Sequence, residues 1–342
     1  MGIDIKDIEA IPKTDLHVHL DGSVRVATVL ELAKKFKVEL PTTDPKQLQK
    51  ILVPDLRCNN LVEYLRIFKI ILSVLQDEEA LVRVAFELAE DAAKENVRYM
   101  EVRYSPALHT ENGTQLTAVV NAVLDGLEQA ERQYNIKTGI IVCGIREKDS
   151  GTSSSVAEIA VDYKNRGVIA FDLAGDEQNY PAKYHLKAFD RIKENNINTT
   201  LHAGEAAGPE SIHHALHYCG AHRIGHGTRL KEDMDLLNYV KDHRIPLEVC
   251  LTSNIQIKAI PSFEEHPFKY YYDKGLRVTI NTDNRTLADT SVTNELYLAA
   301  RHFHLNADDI KKIILSGFKS AFMPLEQKTN MLAEVSKELE RF

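Results

Sequence analysis

Short runs of β-branched and apolar residues recur eight times along the chain, separated by turns and helical patterns. The helical stretches carry apolar residues at positions i, i+3, i+4 and i+7, the spacing of one helix face. Strands that alternate with helices pair in parallel through right-handed crossovers. Eight strands favour an α/β fold closed as a (β/α)₈ TIM barrel. An open doubly wound sheet is less favoured, because no G-x-G-x-x-G segment follows the first run. The predicted strands are Thr14–Leu20, Val97–Tyr104, Thr138–Gly144, Val168–Leu173, Thr199–His202, Arg223–His226, Leu247–Leu251 and Arg277–Asn281.

A long segment, roughly residues 24–75, separates the first predicted strand from the rest of the pattern. We expect two or three extra helices inserted there, over the mouth of the barrel. Its clearest apolar stripe consists of Leu61, Leu65, Phe68, Leu72 and Leu75. No linker rich in Pro, Gly or Ser divides the 342 residues, and a barrel of about 250 residues tolerates insertions. The sequence therefore predicts a single domain over residues 1–342.

Composition and net charge limit the kinds of partner that the protein can bind and indicate the cellular compartment in which it functions. The formal net charge is −8, so the chain lacks the basic footprint that nucleic-acid backbones require. The cysteines, Cys58, Cys143, Cys219 and Cys250, are far apart and form no C-x-x-C pair, which is typical of reduced core residues. No signal peptide pattern and no apolar run of membrane length occur. We expect a cytoplasmic protein that binds neither nucleic acid nor membrane; no particular oligomeric state is indicated.

Polar side chains interrupt the apolar pattern at the end of the first predicted strand. Asp15, His17, His19 and Asp21 are spaced two residues apart, so they share one face of the strand. In a barrel strand that face is the interior, and two imidazoles at the carboxyl end can bind a cation. The alternative is a pair of core histidines hydrogen-bonded within the protein, and this short motif alone does not decide between the two.

Three other predicted strands end in residues of the same kind. His202 and Glu205 end the fifth, His226 ends the sixth, and Asp283 and Asn284 follow the eighth. The carboxyl ends of barrel strands meet at one face, and imidazole nitrogen with carboxylate oxygen suits Zn²⁺. As unrelated buried groups, each would need a hydrogen-bond partner of its own. The joint pattern favours a shared metal site.

Six segments of the chain resemble the adenosine deaminase family, in the order in which that family carries them. They span residues 14–284, and they are specific together, although H-x-H alone is shared by a whole hydrolase superfamily. The segments are Thr14–Gly22, Phe171–Glu177, His202–Glu205, Ile224–Gly227, Glu248–Asn254 and Asn281–Asp283. The resemblance implies hydrolysis of adenosine, and of 2′-deoxyadenosine, to inosine and ammonia.

The resemblance also implies a metal cofactor and its ligands. One zinc ion per chain would be bound by His17, His19, His202 and Asp283. Zinc lowers the pKa of a bound water toward neutrality, which provides hydroxide without a strong base.

Three residues would be catalytic by the same resemblance. His226 and Asp283 would flank the attacking water, with His226 orienting it and helping to take its proton. Glu205 would give a proton to N1 of the purine while hydroxide attacks C6. That role requires a carboxylic acid with a raised pKa, which a dry pocket can supply.

Substrate contacts are implied at four positions. The backbone N–H of Gly175 would meet purine N3, Asp21 would accept the ribose 5′-OH, and His19 would also contact the substrate. Many family members carry a second aspartate after the residue matched by Asp283, whereas this chain has Asn284. An amide donates to purine N7 at any pH, whereas an aspartate must first be protonated.

Other functions stay open on the sequence alone. The chain could deaminate adenine or a 5′-modified adenosine, although Asp21 is available for a ribose hydroxyl. A binuclear amidohydrolase would need a bridging lysine, which the fourth predicted strand lacks at its end, Phe171–Leu173. A non-catalytic nucleoside-binding protein would be favoured by the loss of a ligand or of Glu205, and none is lost.

The remaining histidines outside these segments carry weaker expectations. His213, His214 and His217 are predicted on a solvated helix face, and His222 at a strand start has no metal role. His109 is left open between the barrel mouth and an ordinary loop.

Overall fold

The computed structural model describes residues 3–53 and 61–342. Its centre is a sheet of eight parallel strands, each hydrogen-bonded to the next one in the sequence. The strands are β1 (Lys13–His19), β2 (Val97–Tyr104), β3 (Lys137–Ile145), β4 (Val168–Ala174), β5 (Asn198–Ala203), β6 (Arg223–His226), β7 (Leu247–Val249) and β8 (Val278–Ile280).

The ends of β8 and β1 close this sheet into a barrel. The backbone N–H of Asp283 donates to the carbonyl of His17 over 2.8 Å, and the N–H of His19 donates to the carbonyl of Asp283 over 2.6 Å. Lower down, the Asn281 side-chain oxygen accepts from the N–H of Leu16 at 2.9 Å. These bonds join the last strand to the first, so the predicted (β/α)₈ barrel is confirmed and the open sheet is excluded.

Helices surround the barrel. The α-helices are α1 (Ile5–Ala10), α2 (Val26–Phe36), α3 (Pro45–Leu52), α4 (Leu61–Leu72), α5 (Glu78–Lys94), α6 (Leu116–Gln133), α7 (Ser150–Asp162), α8 (Leu186–Glu194), α9 (Pro209–His217), α10 (Met234–Asp242), α11 (Leu251–Gln256), α12 (Phe268–Asp273), α13 (Val292–His302), α14 (Ala307–Ser320) and α15 (Leu325–Leu339). Short 3₁₀ turns cover Pro106–Leu108, Ala182–His185 and Leu230–Glu232.

The segment inserted after β1 contains α2, α3 and α4, in agreement with the predicted extra helices. Its residues 54–60, among them Cys58, lie outside the described residues. The other three cysteines are buried free thiols. Among residues 3–53 and 61–342, we find no helix that combines the length and the apolar character needed to cross a bilayer.

Helix α5 illustrates how the sequence pattern packs against the barrel. Asp77 caps the helix, because its carboxylate accepts a hydrogen bond from the N–H of Glu79 at 3.0 Å. Such a cap satisfies one of the N–H groups left free at a helix start. The apolar stripe is buried, as the spacing predicts, and consists of Leu81, Val84, Ala85, Leu88 and Ala92.

The predicted seventh strand is wrong at its carboxyl end. The sequence pattern extends it to Leu251, whereas β7 ends at Val249 and Leu251 begins α11. Cys250, with φ −127° and ψ 85°, is the N-cap of that helix. A short buried apolar run has no periodicity that separates the end of a strand from the start of a helix. The early turn matters because it brings Ser253 and Asn254 to the ends of neighbouring strands.

Candidate active site

Four side chains from three strand ends converge at the carboxyl face of the barrel. His17 Nε2 lies 3.1 Å from His202 Nε2, and His19 Nε2 lies 3.2 Å from the same atom. Asp283 Oδ1 lies 3.4 Å from His17 Nε2 and 3.3 Å from His19 Nε2. The structure thus brings together the four residues that were predicted as metal ligands.

These distances fit a tetrahedral metal ion. Ligand atoms about 2.0–2.1 Å from a tetrahedral zinc ion lie about 3.3 Å apart. A wider grouping replaces His19 with His226, and its candidate atoms lie within 4.8 Å of one another. In the set that contains His19, four pairs of ligand atoms lie 3.1–3.4 Å apart, as a tetrahedral ion requires, and His226 then lies beside the cluster.

Two carboxylates behind the cluster orient its histidines. His17 Nδ1 lies 2.9 Å from Glu248 Oε2, and His202 Nδ1 lies 2.9 Å from Asp172 Oδ2. The guanidinium of Arg103 bridges the two, donating to Asp172 at 2.9 Å and to Glu248 at 2.8 Å. An Nδ1 proton that faces a carboxylate leaves the Nε2 lone pair for a metal. Without a cation, the converging lone pairs would repel, so the donor set fits a bound metal ion.

The backbone at two strand ends holds an uncommon conformation. His226 has φ 63° and Asp283 has φ 62°, in the left-handed region that residues other than glycine seldom adopt. The hydroxyl of Ser253, from the helix after β7, donates to Asp283 Oδ2 at 2.5 Å. Such local strain concentrates where surrounding contacts fix a functional side chain.

Glu205 lies beside the cluster on the loop after β5. Its side chain is buried, and its Oε1 lies 3.4 Å from His226 Nε2. Burial raises the pKa of Glu205 well above the usual value, and the negative charges of Asp283 and Glu177 raise it further. The carboxyl group is therefore suited to carry a proton at neutral pH.

Two further predicted residues present polar atoms without partners. Asp21 Oδ1 and Asn284 Oδ1 are buried and accept no hydrogen bond among the described residues. Burial raises the pKa of Asp21 to about 7. A Cβ at Gly22 would lie 1.7 Å from Asn284 Oδ1, so only glycine lets the Asn284 amide lie against this loop. Gly175, with φ +107°, follows β4.

Comparison with known proteins decides the family. The sequence model of the family described as adenosine deaminase matches residues 12–338. The chain belongs to the adenosine deaminase family. The resemblance drawn from the six segments is thereby confirmed.

Individual members of the adenosine deaminase family match over nearly the whole chain. A "Probable adenosine deaminase" from Dictyostelium discoideum is 44% identical over 335 residues, covering 98% of this chain but 43% of that protein. This chain thus spans less than half of the Dictyostelium protein. An "Adenosine deaminase" from Clostridium kluyveri is 38% identical over 329 residues, 96% of this chain and 94% of that protein. The crystal structure of arabidopsis ADAL complexed with IMP has a TM-score of 0.88 at 27% identity, covering 98% and 99% of the two chains.

Four histidines outside the family segments are not among the clustered ligand candidates. His213 and His217 are exposed on α9, and the Nδ1 of His222 accepts a hydrogen bond from the N–H of Thr199 at 3.0 Å. His109 is buried, and its Nδ1 lies 2.9 Å from the carbonyl of Leu75. Its Nε2 is buried and has no hydrogen-bond partner among the described residues.

The family segments did not reveal all the polar residues that support the site. Arg103 and Glu248 have no role assigned from the sequence. The available signal was a charged residue within an apolar strand, since Arg103 and Glu101 interrupt β2. A buried charge requires a partner. The spacing of residues along the sequence does not predict which residue of another strand is that partner.

Proposed function

We propose that this protein uses one zinc ion to hydrolyse adenosine, and 2′-deoxyadenosine, to inosine and ammonia. The observation that carries the proposal is a buried carboxylic acid, Glu205, beside a cluster of three imidazoles and a carboxylate. Relatives named as adenosine deaminases, at 38–44% identity, support the same reaction. A purine ligand is also supported by the arabidopsis relative, which was crystallised with IMP.

His17, His19, His202 and Asp283 would hold the zinc ion. Bound zinc supplies a water whose pKa lies near neutrality, so hydroxide is available without a strong base. Asp283 would serve as a ligand in its ionised form, as a carboxylate bound to a metal must.

Glu205 would donate a proton to N1 of the purine. That proton makes C6 electrophilic, so the oxygen of water can add to C6. Loss of the 6-amino group as ammonia then leaves inosine. The side chain of His226 lies beside that of Glu205. Together with Asp283, His226 would orient the attacking water.

Asp21, Gly175, Asn284 and His19 would contact the substrate. The unpartnered Oδ1 of Asp21 would accept the ribose 5′-OH, and the Asn284 amide would donate to purine N7. The N–H of Gly175 would meet purine N3. An unpartnered buried polar atom costs about 1–3 kcal/mol, so a ligand that satisfies Asp21 gains that amount in affinity.

A second candidate is deamination of a 5′-modified adenosine. It is favoured by one observation, the purine nucleotide in the arabidopsis relative. An ionised Asp21 would repel a 5′-phosphate, whereas its pKa of about 7 leaves a protonated fraction at neutral pH. Binding of adenosine does not require Asp21 to be protonated, so we favour adenosine as the substrate.

The experiment follows purine absorbance with adenosine, adenine, AMP and 5′-deoxyadenosine in turn. We expect turnover of adenosine to exceed that of the other three. Glu205→Gln should reduce turnover by about 10²- to 10⁴-fold while zinc remains bound, and the matched exposed variant Glu326→Gln should behave as the parent does. Preference for AMP would move the assignment to the second candidate, and near-normal turnover by Glu205→Gln would show that another group is the acid.

A further inference from the structure

A chain of hydrogen bonds lies behind His226, on the side away from the cluster. Asn254 Nδ2 lies 3.0 Å from His226 Nδ1, and Asn254 Oδ1 lies 3.3 Å from His266 Nε2. The backbone N–H of Phe268 donates to His266 Nδ1 at 3.1 Å. The side chains of His226, Asn254 and His266 are all buried, so water does not compete for these hydrogen bonds.

The direction of this chain is set at its far end. A backbone N–H can only donate, so Nδ1 of His266 is an acceptor. Burial lowers the pKa of His266 to about 3, so the ring is neutral and carries its one proton on Nε2. That proton requires an acceptor, which Asn254 Oδ1 provides. The Asn254 NH₂ group then faces His226 and can only donate.

The front of the His226 ring faces the site. His226 Nε2 is buried and lies 3.4 Å from Glu205 Oε1, and it makes no hydrogen bond among the described residues. The ring centroid lies 4.7 Å from that of His17 and 5.1 Å from that of His202. The nitrogen opposite Asn254 is therefore the one that meets the attacking oxygen in the proposed reaction.

We infer that Asn254 and His266 are positioning residues that fix neutral His226 as the tautomer with its proton on Nε2. This inference rests on the proposed function for its catalytic meaning. The family resemblance implies that His226 orients the water and helps to take its proton. A ring that already carries a proton on Nε2 offers no lone pair there. His226 instead donates a hydrogen bond to the oxygen that adds to C6 and supports the negative charge on it. The proton that this oxygen loses would pass to Asp283, the other group beside the water, and then to the departing amino group.

The tautomer can be read directly in the zinc-loaded full-length protein. Long-range ¹H–¹⁵N correlation spectra of histidine-labelled protein distinguish a protonated ring nitrogen from one with a lone pair. His226→Gln identifies the His226 signals by their loss. We expect the proton of His226 on Nε2. A proton on Nδ1 in the parent would overturn the inference, and this reading needs no other variant to fold and no substrate.

Asn254→Asp tests the positioning role with little change in size. A carboxylate at this position only accepts, so it draws the His226 proton to Nδ1 and removes the donor from Nε2. Removal of one such donor typically costs about 10²- to 10³-fold in kcat. We expect a loss of that size with little change in KM and with full zinc content. The control is Asn306→Asp, the same change at an exposed helix cap, which should alter neither the tautomer nor kcat.

Two results with Asn254→Asp would contradict the inference. The first is a shifted proton with unchanged kcat, since the donor would then serve no step. The second is a loss of zinc, since Asn254 would then act through the metal cluster. Absence of adenosine turnover by the parent would instead overturn the proposed function, while the tautomer measured by NMR would still test the hydrogen-bond chain.

Discussion

Glu177 accepts a hydrogen bond of 3.0 Å from the backbone N–H of Glu205, the proposed acid. The same carboxylate accepts from Gly204 at 2.6 Å, from Ala206 at 2.7 Å and from Ala207 at 3.0 Å. Four consecutive N–H groups thus surround one buried carboxylate, which fixes the loop after β5. The negative charge of Glu177 also raises the pKa of Glu205.

Glu177→Gln should therefore change both the loop and the acid. The amide keeps one acceptor oxygen, so part of the N–H cluster loses its partner, and kcat should fall. Removal of the charge lowers the pKa of Glu205. Because Glu205 must be protonated to act, kcat/KM should decline at lower pH than in the parent. The measurement is the pH profile of kcat/KM, with the exposed Glu326→Gln as control. An unmoved alkaline limb would show that Glu177 does not act on the acid.

Arg103→Lys tests the bridge between the two carboxylates behind the cluster. The Arg103 guanidinium is buried and donates to both Asp172 and Glu248, whereas an ammonium group lacks the planar fork that reaches both. The orientation of His17 and His202 should loosen, and zinc affinity should fall by about 10- to 100-fold. A chelator competition titration measures this. The control is Arg191→Lys, which changes an exposed ion pair with Glu158 and should leave the zinc affinity unchanged. Equal zinc affinities in the parent and in both variants would show that Arg103 does not support the metal site.

Asp21→Ala tests the sugar contact. Loss of the acceptor for the 5′-OH should cost adenosine about 1.5–3 kcal/mol, or roughly ten- to a hundred-fold in kcat/KM. 5′-Deoxyadenosine has no such hydroxyl and should lose little. The ratio of kcat/KM for the two nucleosides is the measurement. Equal values of kcat/KM for adenosine and 5′-deoxyadenosine in the parent protein would rule out a contact between Asp21 and the 5′-OH.

Asn284→Asp tests the contact with purine N7. The Asn284 amide donates without titrating, whereas an aspartate must take up a proton before it can donate to N7. The variant should stay active at low pH and lose kcat/KM, relative to the parent, as pH rises. The parent should also discriminate against 7-deazaadenosine, which has carbon in place of N7. Equal use of both purines by the parent, with an unchanged pH profile in the variant, would show that Asn284 does not contact N7.

The sequence predicted the barrel because each strand carries its own local signal. The strands β2 and β6 have the bounds that their apolar and β-branched runs predict. The predicted metal ligands lie together because the carboxyl ends of barrel strands share one face. The end of β7 was misplaced: the chain turns at Cys250, and the helix that follows places Ser253 and Asn254 in contact with Asp283 and His226, which come from other strands. Local pattern carries no information on such contacts.

The residues that support the site were harder to predict for the same reason. Glu177 lies 28 residues before Glu205, and Arg103 lies 145 residues from Glu248. Each pair meets only after the barrel has closed. The prediction of a single domain over residues 1–342 and that of helices over the barrel mouth remain predictions.

Metal titration of the stripped protein tests most directly the claim that one zinc ion supports adenosine hydrolysis. Protein freed of metal by a chelator is titrated with zinc, and the conversion of adenosine to inosine is followed by absorbance. Activity should rise linearly to one zinc ion per chain and then stay constant. His202→Ala should not recover activity, whereas His213→Ala, on the exposed face of α9, should follow the parent. A requirement for a second equivalent, or full activity in the metal-free protein, would contradict the account.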